Sequence, residues 1–184
     1  MRRIGIIIGS ESDLPQCKSG LVFLAETSNV EVPFVDVASI HRNTKVVLGK
    51  LEQLHEAPPW QSVDALIVGA GWANHLSGMV DAYLRYELGN ASITVYAVAF
   101  EDAKDNMHTQ AARMSIIHVP GTKMIFRDYV GAIGFLRACQ DAAKDALASI
   151  KLPKPRAPVS YTLFSAQGHI PLIIRKQKEV EDVK

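Results

Sequence analysis

Cysteine is nearly absent: Cys17 and Cys139 are the only two in 184 residues. Each falls on the apolar stripe of an expected helix, which fits buried thiols in a reducing compartment and argues against a disulfide framework. An excess of charge of one sign is also lacking. The 20 Lys and Arg against 19 Asp and Glu leave a net charge of +1, so no broad field gathers nucleic acid or an anionic membrane. No apolar run approaches the roughly 18 residues of a membrane span. The short strand after Met1-Arg2-Arg3 is too brief for a signal-peptide core. A Walker loop, a G-x-G-x-x-G turn and a serine nucleophile elbow are all missing. These absences leave a cytoplasmic protein with a small-molecule partner, neither nucleic acid nor membrane.

What is present is periodicity. Ile4-Gly5-Ile6-Ile7-Ile8 is a continuous apolar run of the kind buried on both faces of a parallel sheet. Leu14, Cys17, Leu21 and Leu24 then recur at helical spacing, with Pro15 tolerated in the first turn. Val32–Val37 and the stripe Val47, Leu51 and Leu54 repeat the unit, and Asp64–Val68 with Leu76, Met79, Val80, Tyr83, Leu84 and Leu88 repeat it again. Ile93–Phe100 reads as a fourth strand and Ser115–Val119 as a fifth, with 101–113 a loop or short helix between them. A long helix is expected from Asp128, its inner face formed by Tyr129, Ala132, Ile133, Leu136, Cys139, Ala143 and Leu147. The expectation is an α/β fold, a three-layer doubly wound parallel sheet of flavodoxin or Rossmann type, over residues 1–150. Pro153, Pro155 and Pro158 open a linker and extended C-terminal arm over 151–184, whose apolar segments 161–164 and 170–174 suit a neighbouring subunit.

Loops 9–13, 39–42 and 69–79 fall at the carboxyl ends of successive strands, where such sheets hold their ligands. Gly9-Ser10-Glu11-Ser12-Asp13 offers a tight turn, hydroxyls and free amides at a helix start, which suits phosphate. Alternatively Ser12 or Asp13 caps that helix and needs no ligand. In Ser39-Ile40-His41-Arg42, Arg42 can fork onto phosphate, and His41 is of the type that exchanges a proton near neutral pH. The third loop runs from Gly69 through Gly71 to His75, Leu76, Gly78 and Met79. Its glycines either admit a ligand close to the backbone or simply pack strand on helix. The two histidines have no carboxylate or thiol at ligand spacing, so no metal is expected.

Taken in order and spacing, these three motifs resemble the aminoimidazole ribonucleotide carboxylase and N5-carboxyaminoimidazole ribonucleotide mutase family of purine biosynthesis. The resemblance runs from about residue 3 to 150 and includes Ser115-Ile116-Ile117-His118-Val119-Pro120. It implies cofactor-free, metal-free carboxyl transfer to C4 of an aminoimidazole ribonucleotide, with carbon dioxide as the mobile group, in a homo-octamer. It also implies roles: Ser10, Ser12, Ser39 and Arg42 on the 5′-phosphate, Asp13 on the ribose, and His41 as the proton carrier. Gly9 and Gly69 would belong to the substrate-binding loops, while Gly71, His75 and Leu76 would line the carbon dioxide pocket. The chain departs from the family pattern at Ile40, at Asn43-Thr44, at Trp72 where glycine is expected, at Asn74, at Ser77 in place of proline, and across 101–113. A homologue that binds a ribonucleotide without turnover, one acting on another phosphorylated metabolite, and a flavin-binding protein are the competing readings.

Overall fold

The computed structural model describes residues 1–145 and 150–168. Leu147, His169 and the segments 170–174 and 176–184 lie outside them. The chain divides into two compact units, Met1–Pro153 and Lys154–Lys184.

The first unit is built on a parallel sheet. Strand β1 (Arg2–Ile8) lies between β4 (Ala65–Ala70) on one side and the short strands β2 (Val30–Glu31) and β3 (Val35–Val37) on the other, and β5 (Thr94–Ala99) pairs with β4. Side chains alternate along β1. Ile4, Ile6 and Ile8 face the layer of α1 (Leu14–Glu26) and α5 (Gly131–Lys144), whereas Ile7 faces α2 (Thr44–Glu56) and α3 (His75–Ala82). Helix α4 (Asn106–Ile117) covers Ala97 and Ala99 of β5 through Ala112 and Ile116. This is the three-layer α/β architecture expected from the alternating pattern.

Two expectations are corrected. Ser115–Val119 is not a strand: residues to Ile117 finish α4, which starts at Asp105, whose side chain accepts the Met107 N–H at 2.8 Å. The place beside β5 belongs to 125–130, which bridges in parallel at Tyr96↔Ile125 and Ala99↔Val130. A cap followed by Ala112 and Ile116 at i, i+4 outweighed the β-branched composition of the helix end.

The inner face of α5 also differs from the reading. Ile133 is 77% exposed, and the buried positions are Gly131, Gly134, Phe135, Ala138, Cys139 and Ala142. The reason is close packing on α1. A Cβ on Gly20 would stand 2.5 Å from Phe135 Cδ1 and 2.7 Å from Cys139 Sγ, so the bare backbone of Gly20 receives Phe135 and Cys139 and turns that side of α5 inward. Both cysteines are buried free thiols, and burial pushes the Cys17 thiol up to about 12.

Helix α3 runs on into a π-helical turn, Tyr83–Glu87, held by a buried ion pair. Arg85 Nε donates to Asp81 at 3.0 Å, and its two terminal nitrogens reach the Asn90 and Ile93 carbonyls at 2.6 Å. Every guanidinium nitrogen is thereby satisfied, which a buried pair requires. In the second unit the described residues have no regular secondary structure to 162 and then form a helical turn over 163–168, with Thr162 Oγ1 accepting the Ser165 N–H.

Candidate functional site

Right-handed βα crossovers bring the starts of α1, α2 and α3 to one edge of the sheet. Here a cavity of about 510 Å³ is lined by residues of all three loops. Gly9, Ser10, Ser12 and Asp13 come from the first, Ser39, His41 and Arg42 from the second, and Gly71, Trp72, His75 and Leu76 from the third. Gly69 does not line it. That residue sits inside β4, where a Cβ would meet Phe100 Cε2 at 2.5 Å, so its smallness serves strand packing.

The first loop resolves the capping question. Ser10 Oγ accepts the Ser12 N–H at 3.4 Å and the Ser12 hydroxyl at 2.9 Å, closing a short 3₁₀ turn. Asp13 stands at the start of α1 but makes no side-chain cap. Its Oδ2 instead accepts the Gly71 N–H across the cavity at 3.4 Å. Burial pushes the Asp13 carboxyl above its ordinary 3.8, and the Gly71 amide partly opposes this.

Helix α2 likewise starts without a side-chain cap from Asn43, whose Oδ1 accepts the Ser39 N–H at 3.2 Å instead. The start of α2 is therefore left without a side-chain cap beside the cavity, a favourable setting for an anion, whereas at α1 the Asp13 and Leu14 N–H groups already bond the Ser10 and Glu11 carbonyls and Pro15 has no N–H. The Arg42 side chain is exposed and has no hydrogen-bond or ion-pair partner among the described residues. It is free to meet that anion.

The third helix start is closed by protein. Asn74 is fully buried; its Oδ1 accepts the Ser77 N–H at 3.1 Å, and its Nδ2 donates to the Val98 carbonyl at 2.8 Å. Ser77 Oγ lies 3.0 Å from the Val68 carbonyl. Two departures from the family pattern, Asn74 and Ser77, thus work as one polar lock tying α3 to β4 and β5.

That lock sets the position of His75, which begins the helix. Its Nδ1 lies 3.0 Å from His41 Nε2, with the rings edge to face at 71°. One nitrogen donates and the other accepts, so the contact holds a single proton between two loops that are 34 residues apart. Among the described residues no three His, Cys, Asp or Glu side chains group as metal ligands would.

Trp72 stands where the family pattern has glycine. It is 64% exposed, lines the cavity, and adopts φ +54°, a left-handed conformation costing a non-glycine residue about 1–2 kcal/mol. The indole stacks on His108 with centroids 3.9 Å apart and planes within 16°. His108 Nδ1 is 2.8 Å from Asp102 Oδ2, a bond that holds the Asp102 carboxyl below its usual range. Sequence reasoning missed His108 and Asp102. The one available signal was their spacing around the cap of α4, inside a stretch that matched no family motif.

Comparison with known proteins adds the following. A family model described as AIR carboxylase matches residues 3–122. The N5-carboxyaminoimidazole ribonucleotide mutase of Thermotoga maritima is 32% identical over 123 residues, covering 66% of this chain and 62% of that protein. The protein of that name from Mycobacterium tuberculosis is 36% identical over 81 residues, covering 44% of this chain and 42% of its own. Phosphoribosylaminoimidazole carboxylase of Ogataea methanolica is 36% identical over 80 residues, covering 43% of this chain and 13% of its own. The chain thus spans less than two thirds of each of these relatives.

Proposed function

This chain belongs to the AIR carboxylase family, and on that premise we propose that it transfers a carboxyl group onto C4 of 5-aminoimidazole ribonucleotide, giving the 4-carboxy compound. The observation that carries the reading is the His41–His75 contact at 3.0 Å beside the uncapped start of α2 and an Arg42 with no partner among the described residues. A proton carrier and an anion site then share one cavity.

In this reading the 5′-phosphate sits between Ser10, Ser12, Ser39 and Arg42 and accepts hydrogen bonds from their side chains and from the amides at the start of α2. Asp13, an acceptor in its ionised form, holds the ribose hydroxyls. When the carboxyl group arrives on the exocyclic nitrogen, the N–C bond breaks and His41 returns a proton to that nitrogen. Carbon dioxide stays between Gly71, His75 and Leu76 while C4 attacks its carbon. Deprotonation of C4 by His41 then restores the aromatic ring. Having given up its proton in the first transfer, His41 is already the base for the second, and His75 takes part as the hydrogen-bonded neighbour that holds the His41 ring in place. If carbon dioxide enters directly, only the second half applies. A homo-octamer, acting on a free ribonucleotide in the cytoplasm, is the assembly proposed.

The test offers the purified protein 5-aminoimidazole ribonucleotide with bicarbonate and, separately, the N5-carboxy compound, and follows the 4-carboxy product by its absorbance. Product from either substrate supports the proposal, and which substrate is used names the reaction. Tight binding with no product from either, at high protein concentration, supports the non-catalytic homologue instead.

A further inference from the structure

Trp72 has no place in the carboxyl transfer just described, yet its backbone and its ring are both held in a defined arrangement. Its backbone is held at φ +54°, a conformation natural to glycine and uncommon for a bulky side chain. Such outliers persist where the surroundings over-determine them, and they gather at ligand sites. The over-determination here is visible. One indole face is stacked on His108, and His108 is itself fixed by Asp102 at 2.8 Å. The ring remains 64% exposed and forms part of the cavity lining with His75 and Gly71. A rigid aromatic surface is therefore braced from behind and left open in front.

We propose that Trp72 is a stacking platform for the heterocyclic base of the bound ribonucleotide, and hence a specificity-determining residue of this site. It rests on the ribonucleotide reading above and deepens it. Phosphate and ribose contacts are indifferent to the base, whereas a braced indole favours any flat aromatic ring delivered at that position, including rings larger than imidazole. The chain is thereby fitted to accept ribonucleotides with a broader range of bases, with His108 setting the tilt of the platform as a positioning residue.

The experiment compares ligands with and without a base. Wild type, Trp72→Ala and Trp72→Phe are titrated calorimetrically with 5-aminoimidazole ribonucleotide and with ribose 5-phosphate. Trp72→Ala is expected to weaken the ribonucleotide about 5- to 100-fold while changing ribose 5-phosphate less than about twofold, and Trp72→Phe to recover most of the loss. As a check independent of how Trp72→Ala folds, Trp60→Phe leaves Trp72 as the single tryptophan. Its emission should be quenched by the ribonucleotide and not by ribose 5-phosphate. Equal loss for both ligands, no loss for either, or unquenched emission at saturation overturns the platform while leaving the carboxyl-transfer reading in place. Failure of the wild type to bind either ligand overturns both.

Discussion

Two cavities of similar size lie at opposite edges of the same sheet, about 510 Å³ at the carboxyl ends of the strands and about 570 Å³ at the amino ends. Volume does not distinguish them; the state of their polar groups does. In the amino-end cavity the side chains are spent on local structure. Asn90 bridges His55 at 3.2 Å and accepts the Ser92 and Ile93 amides, Ser62 donates to the Leu54 carbonyl, and Asp64 accepts the Arg3 N–H. In the carboxyl-end cavity, α2 begins without a side-chain cap and Arg42 has no partner among the described residues. The comparison teaches that uncommitted donors facing a shared space mark a ligand site. A satisfied cavity is a consequence of packing around loops.

The contrast breaks most visibly at His41. His41→Asn should lower kcat about 10²- to 10⁴-fold with the fold unchanged by circular dichroism, the range expected for loss of a general acid–base group. Next comes Arg42→Ala, which removes a charge-assisted phosphate contact and should raise KM about 10- to 100-fold with a smaller change in kcat.

Asn74→Ala strands the Val98 carbonyl and the Ser77 amide. It should cost about 1–3 kcal/mol and lower Tm by about 3–10 °C in a thermal melt. Asp13→Asn sharpens the site side by working in the opposite direction. Burial raises the folded pKa of this carboxyl above the unfolded 3.8, so the native state binds the proton more tightly and loses stability as pH climbs through that interval. The Asn variant should therefore melt above wild type at neutral pH, converge with it below about pH 3.8, and bind ribonucleotide more weakly. The smallest effect is expected in the other cavity. There His55→Ala should change KM and kcat less than about twofold and stability by about 0.5 kcal/mol at most.

Much of the fold was legible because each strand buried on both faces reads as an unbroken apolar run. The loops at the strand ends were equally plain, since Ser39-Ile40-His41-Arg42 and the third-loop glycines carry their chemistry in residue type. Three features were not legible, each for a physical reason. Helix α5 packs through Phe135 and Cys139 because Gly20 lets it approach α1 closely, which residue type at 133 and 136 does not announce. The segment 125–130 joins β5 by isolated bridges and has no strand-like run of its own. The polar lock and the Trp72–His108–Asp102 stack are contacts across turns and elements. Residue type at 74, 77 and 108 announces no partner until the backbone brings them together.

The most direct test of the central claim follows the imidazole ¹H–¹⁵N signals of His41, His75 and His55 while ribonucleotide is added to the wild-type protein. The account predicts that the His41 and His75 signals move together and saturate with the binding curve, while those of His55 stay in place. Movement of His55 with His41 and His75 unmoved would put the ligand in the other cavity and contradict it.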